Sequence, residues 1–96
     1  MLAVMRYDVQ TENAGRLQET YPRHKAYLDV FAATGELLLI GTLEDAPTNG
    51  SLAVFRTKAS AERFTHGDPF MLEGLVKATV LEWDALEFLD RPHRDS

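Results

Sequence analysis

The sequence predicts an α+β fold of the ferredoxin-like type, in which a four-stranded antiparallel sheet carries two helices on one face. Three observations lead to this prediction. Four short apolar segments have the composition of strands, two segments have helical signals, and their order is strand, helix, strand, strand, helix, strand. A chain of 96 residues and 10.8 kDa is long enough for one such domain and too short for two.

Short aliphatic runs predict the strands, and turn-forming residues separate them. The strand segments are Leu2–Tyr7 (LAVMRY), Glu36–Gly41 (ELLLIG), Ser51–Arg56 (SLAVFR) and, approximately, Thr79–Phe88. Between the second and third strands, EDAPTNG is predicted to be a turn-rich connection. Residues 1–90 therefore form the predicted domain, and 91–96 form a polar tail that we expect to be frayed.

A long amphipathic helix is predicted between Asn13 and Thr34. At about 100° per residue, five residues fall within an arc of about 80°, which is one face of the helix. They are Leu17, Tyr21, His24, Leu28 and Phe31. Pro22 predicts a kink, or a break with a second helical segment starting near it. Gly35 is placed to end the helix.

The segment ASAERFTHG predicts a second, shorter helix. Its expected N-cap is Thr57 or Ser60, and its expected end is Gly67. Asp68 and Pro69 follow directly, and Asp before Pro is a common signal for the start of a helical turn. Local sequence alone therefore predicts a capping role for Asp68.

The predicted strands are apolar on both faces, which bears on assembly. The runs LAVM, LLLI and LAVF do not alternate between apolar and polar residues. A sheet with helices on one face only would favour alternation. We therefore expect a second copy of the chain to cover the open face, giving a homodimer packed sheet to sheet. The alternative is a monomer with a few exposed aliphatic residues.

Composition narrows the expected partners and setting. The net charge is −5 and the Lys and Arg residues are scattered, so we expect neither nucleic acid nor a membrane as a partner. The chain has no cysteine, which excludes disulfides, thiolate catalysis and cysteine zinc sites. The apolar start MLAVM is too short for a signal peptide or a membrane span, so we expect a cytoplasmic protein.

His24 is the histidine best placed for chemistry. It lies in the middle of the apolar helix face, so we expect it to point toward the sheet. A histidine that faces inward needs a hydrogen-bond partner, and carboxylates are the usual partners. The alternative is a core histidine satisfied by one hydrogen bond. We expect His66 in the last turn of the second helix and His93 in the solvated tail.

Three segments resemble the YCII-related family, over nearly the whole chain. They are RHKAYL (Arg23–Leu28), GELLLIG (Gly35–Gly41) and ERFTHGDPF (Glu62–Phe70), the last followed by Gly74 and Leu75. The resemblance implies a ferredoxin-like fold, dimers built as α+β barrels and a pocket with a His–Asp pair. On this chain that pair is His24 and Asp68. A few relatives in the family are linked to removal of chloride from ring compounds.

A His–Asp pair without a nucleophilic Ser or Cys predicts proton transfer. His24 would take or give a proton near neutral pH while Asp68 holds its ring. Isomerisation, elimination of HX by a lyase or dehydrochlorinase, and lactone chemistry all fit this pair. The expected substrate is small and partly apolar, with an anionic group in one version of the hypothesis.

Four further residues are candidates for substrate binding. Arg6 would hold an anionic group, or would instead extend from the strand end into water. Tyr7, Tyr27 and Trp83 would line a pocket, or would instead belong to the core.

The sequence predicts neither a metal site nor a cofactor, because no ligand spacing for a metal is present. It leaves open whether the chain is an enzyme. The alternatives are a non-enzymatic small-molecule binding or regulatory module on the same fold, and a structural dimeric partner domain. Because Asn caps helices about as well as Asp but lacks the charge that favours imidazolium, Asp68→Asn is expected to change stability little while lowering the titration midpoint of His24.

Overall fold

Four strands form one antiparallel sheet in the computed structural model, which describes residues 1–88. In chain order they are β1 (Leu2–Val9), β2 (Leu37–Thr42), β3 (Ser51–Phe55) and β4 (Val76–Trp83). Their order in the sheet is β2-β3-β1-β4, so β1 lies between β3 and β4. All three neighbouring pairs are antiparallel. The predicted α+β class and the four-stranded antiparallel sheet are confirmed.

Helices connect these strands. They are α1 (Ala14–Ala32), α2 (Ala46–Asn49), α3 (Lys58–Gly67) and α4 (Pro69–Leu72), and a 3₁₀ turn at Thr11–Asn13 leads into α1. Helices α1 and α3 are the two that the sequence predicts. The predicted order omits α2, which lies in EDAPTNG, and α4, although the start signal at Asp68 marks where α4 begins. Segments of four residues are too short to show a helical period.

Helix α1 continues through its proline. Pro22 removes one backbone donor, yet the helix is continuous from Ala14 to Ala32, so the predicted break does not occur. The chain then turns before β2. The N–H of Gly35, with φ at 79°, donates to the carbonyl of Ala32 at 3.1 Å, and the helix ends before Gly35 as expected.

A capping box starts α3. The hydroxyl of Thr57 accepts from the N–H of Ser60 at 3.1 Å, and the hydroxyl of Ser60 accepts from the N–H of Thr57 at 3.3 Å. Thr57 is therefore the N-cap, and Ser60 completes the box rather than starting the helix. Gly67 is the last residue of α3, as expected.

The bounds predicted for the fourth strand are wrong. The sequence places it at Thr79–Phe88, whereas β4 spans Val76–Trp83. Its pairing with β1 runs from Val9 opposite Val76 to Leu2 opposite Trp83. β1 begins at Leu2, which lies opposite Trp83, so the two strands end together.

The two faces of the sheet differ in burial. On β1, Ala3, Met5 and Tyr7 alternate with less buried neighbours and face the helices, where Phe55 and Phe64 belong to the same buried core. The other side of the sheet, called the open face below, carries exposed apolar side chains. Their exposed fractions are 61% for Leu39, 37% for Leu52, 58% for Leu81 and 47% for Trp83.

Two further predictions concern the ends of the chain and membranes. No helix within residues 1–88 has the length and hydropathy needed to cross a membrane. The predicted tail at 91–96, which includes His93, lies outside the described residues, as does the predicted boundary at residue 90.

Candidate active site

His24 and Asp68 form a buried hydrogen-bonded pair. His24 comes from the middle of α1, and Asp68 from the junction between α3 and α4. The Nδ1 atom of His24 lies 2.7 Å from Oδ1 of Asp68. The Asp68 side chain is fully buried, and the His24 side chain is 9% exposed. The structure therefore brings together the two residues that the sequence singles out as a pair.

Asp68 also caps two helices. Its N–H donates to the carbonyl of Phe64 at 3.1 Å, which closes α3. Its Oδ1 accepts from the N–H of Phe70 at 3.2 Å, which starts α4 with Pro69 in the first position. The backbone of Asp68 is extended, as is usual before proline, and this conformation separates the two helices.

Tyr7 is the third member of the hydrogen-bonded group. Its Oη donates to Oδ2 of Asp68 at 2.6 Å, and the residue is buried on the helix-facing side of β1. Burial raises the pKa of the Tyr7 hydroxyl, and the charge of Asp68 raises it further, so the hydroxyl stays protonated and donates. The backbone of Gly50, directly before β3, packs closely against the backbone of Tyr7. A Cβ on Gly50 would lie 1.9 Å from the carbonyl oxygen of Tyr7.

The hydrogen bonds around Asp68 determine which nitrogen of His24 carries the proton. The carboxylate accepts from Tyr7 at Oδ2 and from His24 and the N–H of Phe70 at Oδ1. A carboxylate can only accept hydrogen bonds. Nδ1 of His24 must therefore donate, and in the neutral ring Nε2 holds the lone pair.

The second nitrogen of His24 reaches solvent. Within residues 1–88, the only hydrogen bond of the His24 ring is the one at Nδ1. In the same part of the chain, no buried side-chain nitrogen or oxygen lacks a hydrogen-bond partner. Nε2 is thus accessible, which accounts for the small exposed fraction of this side chain. A basic nitrogen that faces outward from a buried carboxylate is suited to exchange a proton with a bound molecule.

Aromatic rings hold the imidazole of His24 in place. The Phe70 ring is stacked on it, with centroids 4.0 Å apart and planes inclined by 8°. Phe64 meets it edge-on at 6.5 Å, and Tyr21 lies at 5.9 Å in a tilted arrangement. These contacts restrict rotation of the ring and cover one of its faces.

A small apolar pocket adjoins the pair. Its volume is about 200 Å³. It is lined by Tyr7, Val9, Leu17, Gln18, Tyr21, Ser51, Phe70 and Val76, none of which carries a charge. Tyr7 and Phe70 contribute to the wall and also contact Asp68 and His24 directly. The pair itself is not among the lining residues.

A cluster of charges ties the end of α4 to α1. Glu73 accepts from Arg23 at 2.6 Å, from Thr20 at 3.2 Å and from Arg16 at 3.4 Å. The hydrogen bond from Arg23 lowers the pKa of Glu73. Arg23 precedes His24, and α4 carries Phe70, so the cluster links the two segments that carry the stacked rings.

The structure does not bring the other predicted residues to the pair. Arg6 and Trp83 lie on the open face, where Arg6 binds Asp8 at 3.1 Å and Trp83 lies opposite Leu2 in the sheet. Tyr27 lies near the pair, but its Oη donates to the carbonyl of Phe64 at 2.9 Å. Within residues 1–88, no group of three or more histidine or acidic side chains could hold a metal ion.

Sequence reasoning missed the contact between Tyr7 and Asp68 and the stacking of Phe70 on His24. Strand alternation was a usable signal for Tyr7, because Ala3, Met5 and Tyr7 share a face. For Phe70 no such signal exists, since its ring direction depends on the turn at Pro69.

Comparisons with known proteins agree with this fold. The family model of the YCII-related domain matches residues 1–84. A similar solved structure is the 5-chloro-2-hydroxyhydroquinone dehydrochlorinase (TftG) from Burkholderia phenoliruptrix AC1100, in complex with 2,5-dihydroxybenzoquinone. The TM-score is 0.70 at 22% identity, over 86% of this chain and 93% of that chain, and this likeness supports the fold alone. A comparison with curated protein sequences finds no match.

Proposed function

The chain belongs to the YCII-related family, and from that premise we propose that it is a small-molecule enzyme in which His24 transfers a proton and Asp68 positions it. One observation carries the proposal. Nδ1 of His24 is held at 2.7 Å by a fully buried carboxylate, while Nε2 reaches solvent. A positioned acid–base group of this kind contributes roughly 10²–10⁴-fold to a rate.

The proposed step is removal of a proton by Nε2 of His24. The electron pair left on the substrate forms a new double bond. In an elimination the pair expels a leaving group from the neighbouring carbon, and in an isomerisation a proton returns elsewhere. Asp68 stabilises the imidazolium that forms. We favour elimination, because TftG, which shares this fold, is named as a dehydrochlorinase, and loss of HCl needs an acceptor for the proton.

The proposed substrate is a small, uncharged ring compound. A pocket of about 200 Å³ is smaller than the roughly 300–1,000 Å³ of sites for drug-sized ligands. Its lining carries no cation, Arg6 lies on the open face, and Arg16 and Arg23 are engaged by Glu73. An anionic substrate would find the charge of Asp68 nearby and no partner in the lining. This favours the version of the hypothesis without an anionic group.

The enzyme assay uses 5-chloro-2-hydroxyhydroquinone and other chlorinated hydroquinones, with release of chloride as the readout. We expect His24→Gln to lose roughly 10²–10⁴-fold in kcat/KM. The matched control is His66→Gln, because His66 is an exposed histidine at the end of α3 and should retain full activity. Equal activity in the two variants would contradict a role for His24.

We further propose a ferredoxin-like classification and a homodimer joined through the open face. The strand order, together with the packing of α1 and α3 on one side of the sheet, supports the ferredoxin-like classification. An exposed apolar surface supports the homodimer. It is formed by Leu39, Leu52, Leu81 and Trp83. Such a dimer would be the α+β barrel expected from the sequence.

Sedimentation at micromolar concentration tests the dimer. We expect about twice 10.8 kDa for the chain and the monomer mass for Leu81→Lys. Val30→Lys is the control, because Val30 is 75% exposed on α1 and lies away from the sheet. A wild-type monomer would refute the proposal.

A binding or regulatory module is the second candidate. The observation in its favour is that neither His24 nor Asp68 lines the pocket. Thermal-shift measurements with hydroquinone and with benzoate separate the two functions, since a ligand raises stability by RT ln(1 + [L]/Kd). Stabilisation by hydroquinone without turnover, unchanged in His24→Gln, would favour the binding module.

A further inference from the structure

We propose that Tyr7 is a positioning residue that lowers the basicity of His24 by sharing the charge of Asp68. The importance of this effect for catalysis rests on the proposed function, whereas the effect of Tyr7 on the titration of His24 does not depend on it. Tyr7 donates to Oδ2 at 2.6 Å while His24 binds Oδ1 at 2.7 Å. Neither the sequence nor the family match assigns this hydroxyl a role toward Asp68.

Two donors on one carboxylate weaken each other. The hydroxyl of Tyr7 draws electron density toward Oδ2, which leaves less on Oδ1 for the imidazolium form of His24. The hydrogen bond from Tyr7 is therefore stronger when His24 is neutral, and it favours the neutral ring. The low dielectric constant of a buried site makes each of these hydrogen bonds electrostatically stronger than in water, so the competition between the two donors matters more there.

The contact is fixed in geometry. Tyr7 lies on β1, the strand that pairs on both sides, and its backbone is enclosed by Gly50. Asp68 is held by the helix ends that it caps. Both side chains are buried, so water cannot replace the hydroxyl without a rearrangement.

The other titratable groups near the pair lie on α1 and at the end of α4. Helix α3 contributes the uncharged Phe64 ring to His24. Helix α1 and the end of α4 contribute Tyr21, Tyr27, Arg16, Arg23 and Glu73. Burial raises the pKa of Tyr27, which stays uncharged around neutral pH, and Arg23 lowers the pKa of Glu73, whose charge is met by the two arginines. These groups therefore do not obscure the effect of a substitution at Tyr7 on the titration of His24.

NMR titration of the histidine ring protons tests the inference. The chain has three histidines, and His24→Gln identifies the signal of His24. We expect Tyr7→Phe to raise the titration midpoint of His24 by about half a pH unit, which corresponds to less than half the contribution of one hydrogen bond to a charged group. The matched control is Tyr27→Phe, whose lost hydroxyl bonds to the carbonyl of Phe64 and which should leave the midpoint in place. An unchanged or lowered midpoint in folded Tyr7→Phe would overturn the inference.

A second measurement tests the same inference if the Tyr7→Phe variant does not fold. In the Tyr21→Phe, Tyr27→Phe variant, Tyr7 is the remaining tyrosine of the three, so 3-fluorotyrosine can be introduced there alone. The more acidic phenol is a stronger donor and should lower the His24 midpoint relative to the unfluorinated variant. A rise or no change would overturn the inference. Neither titration needs a substrate, so a failed enzyme assay and a failed titration are distinct results.

Discussion

Asp68→Asn should destabilise the protein strongly, although the sequence alone predicts little change. The carboxylate of Asp68 is fully buried and accepts from Tyr7, His24 and the N–H of Phe70. Asn keeps one acceptor oxygen and adds an amide NH₂ group. That group must face either the hydroxyl of Tyr7 or the ring N–H of His24, both of which donate in the wild type.

The magnitude follows from these contacts. A hydrogen bond to a charged group contributes about 1.5–3 kcal/mol, and the buried donor that loses its acceptor adds a desolvation cost. Rotation of the Tyr7 hydroxyl relieves part of the mismatch. We therefore expect a loss of about 2–3 kcal/mol in the free energy of unfolding. At about 4–8 °C per kcal/mol for a domain of this size, Tm falls by roughly 8–24 °C.

Urea and thermal unfolding, followed by circular dichroism at fixed protein concentration, measure this loss. Asp29→Asn is the matched control. Asp29 also lies 2.6 Å from a cation, Lys25, but its side chain is 63% exposed, so this change should cost less than about 1 kcal/mol. If Asp68→Asn costs no more than Asp29→Asn, the reasoning from the buried hydrogen bonds is wrong.

Two further predictions concern the surroundings of the pair. Gly67→Ala should lower the free energy of unfolding by about 1–3 kcal/mol in urea, because its Cβ would lie 2.6 Å from Oη of Tyr27. Gly15→Ala, in open space within α1, should instead leave stability unchanged or raise it. Arg23 holds the pKa of Glu73 below its usual 4.5, so the stabilisation by Glu73 is present above pH 4.5 and lost as the pH falls through the lowered pKa. The difference in Tm between wild type and Glu73→Gln should accordingly narrow between pH 6 and pH 3, and a constant difference would contradict this assignment.

Sequence reasoning reached the pair because each member carries a local signal. The helical period places His24 on the inward face of α1, and the Asp-Pro step places Asp68 at a helix start. Their meeting depends on how α1 packs beside α4, which no local pattern describes. The resemblance to the YCII-related family supplied that link.

Arg6 and Tyr7 show where the same reasoning stopped short. Adjacent residues of a strand point to opposite faces, so at most one of the two could face the helices. The pattern of β1 already favours Tyr7, since Ala3 and Met5 share its side. The pairing of β4 with β1 decides the face of Trp83. Trp83 lies opposite Leu2, which does not face the helices, so Trp83 lies on the open face. Its face could be known only once the end of β4 was known.

Asp68 joins the stability of the fold to the chemistry proposed for it. One carboxylate contacts His24 on α1, Tyr7 on β1 and the backbone of Phe70 on α4. Any substitution that removes its charge also removes hydrogen bonds that hold three elements together, so a loss of activity in Asp68→Asn cannot be assigned to proton transfer alone. Replacing Tyr7 by 3-fluorotyrosine changes the strength of one donor and keeps every contact. The effect of that replacement on His24 therefore reports the electrostatic role of Asp68 separately from its structural role.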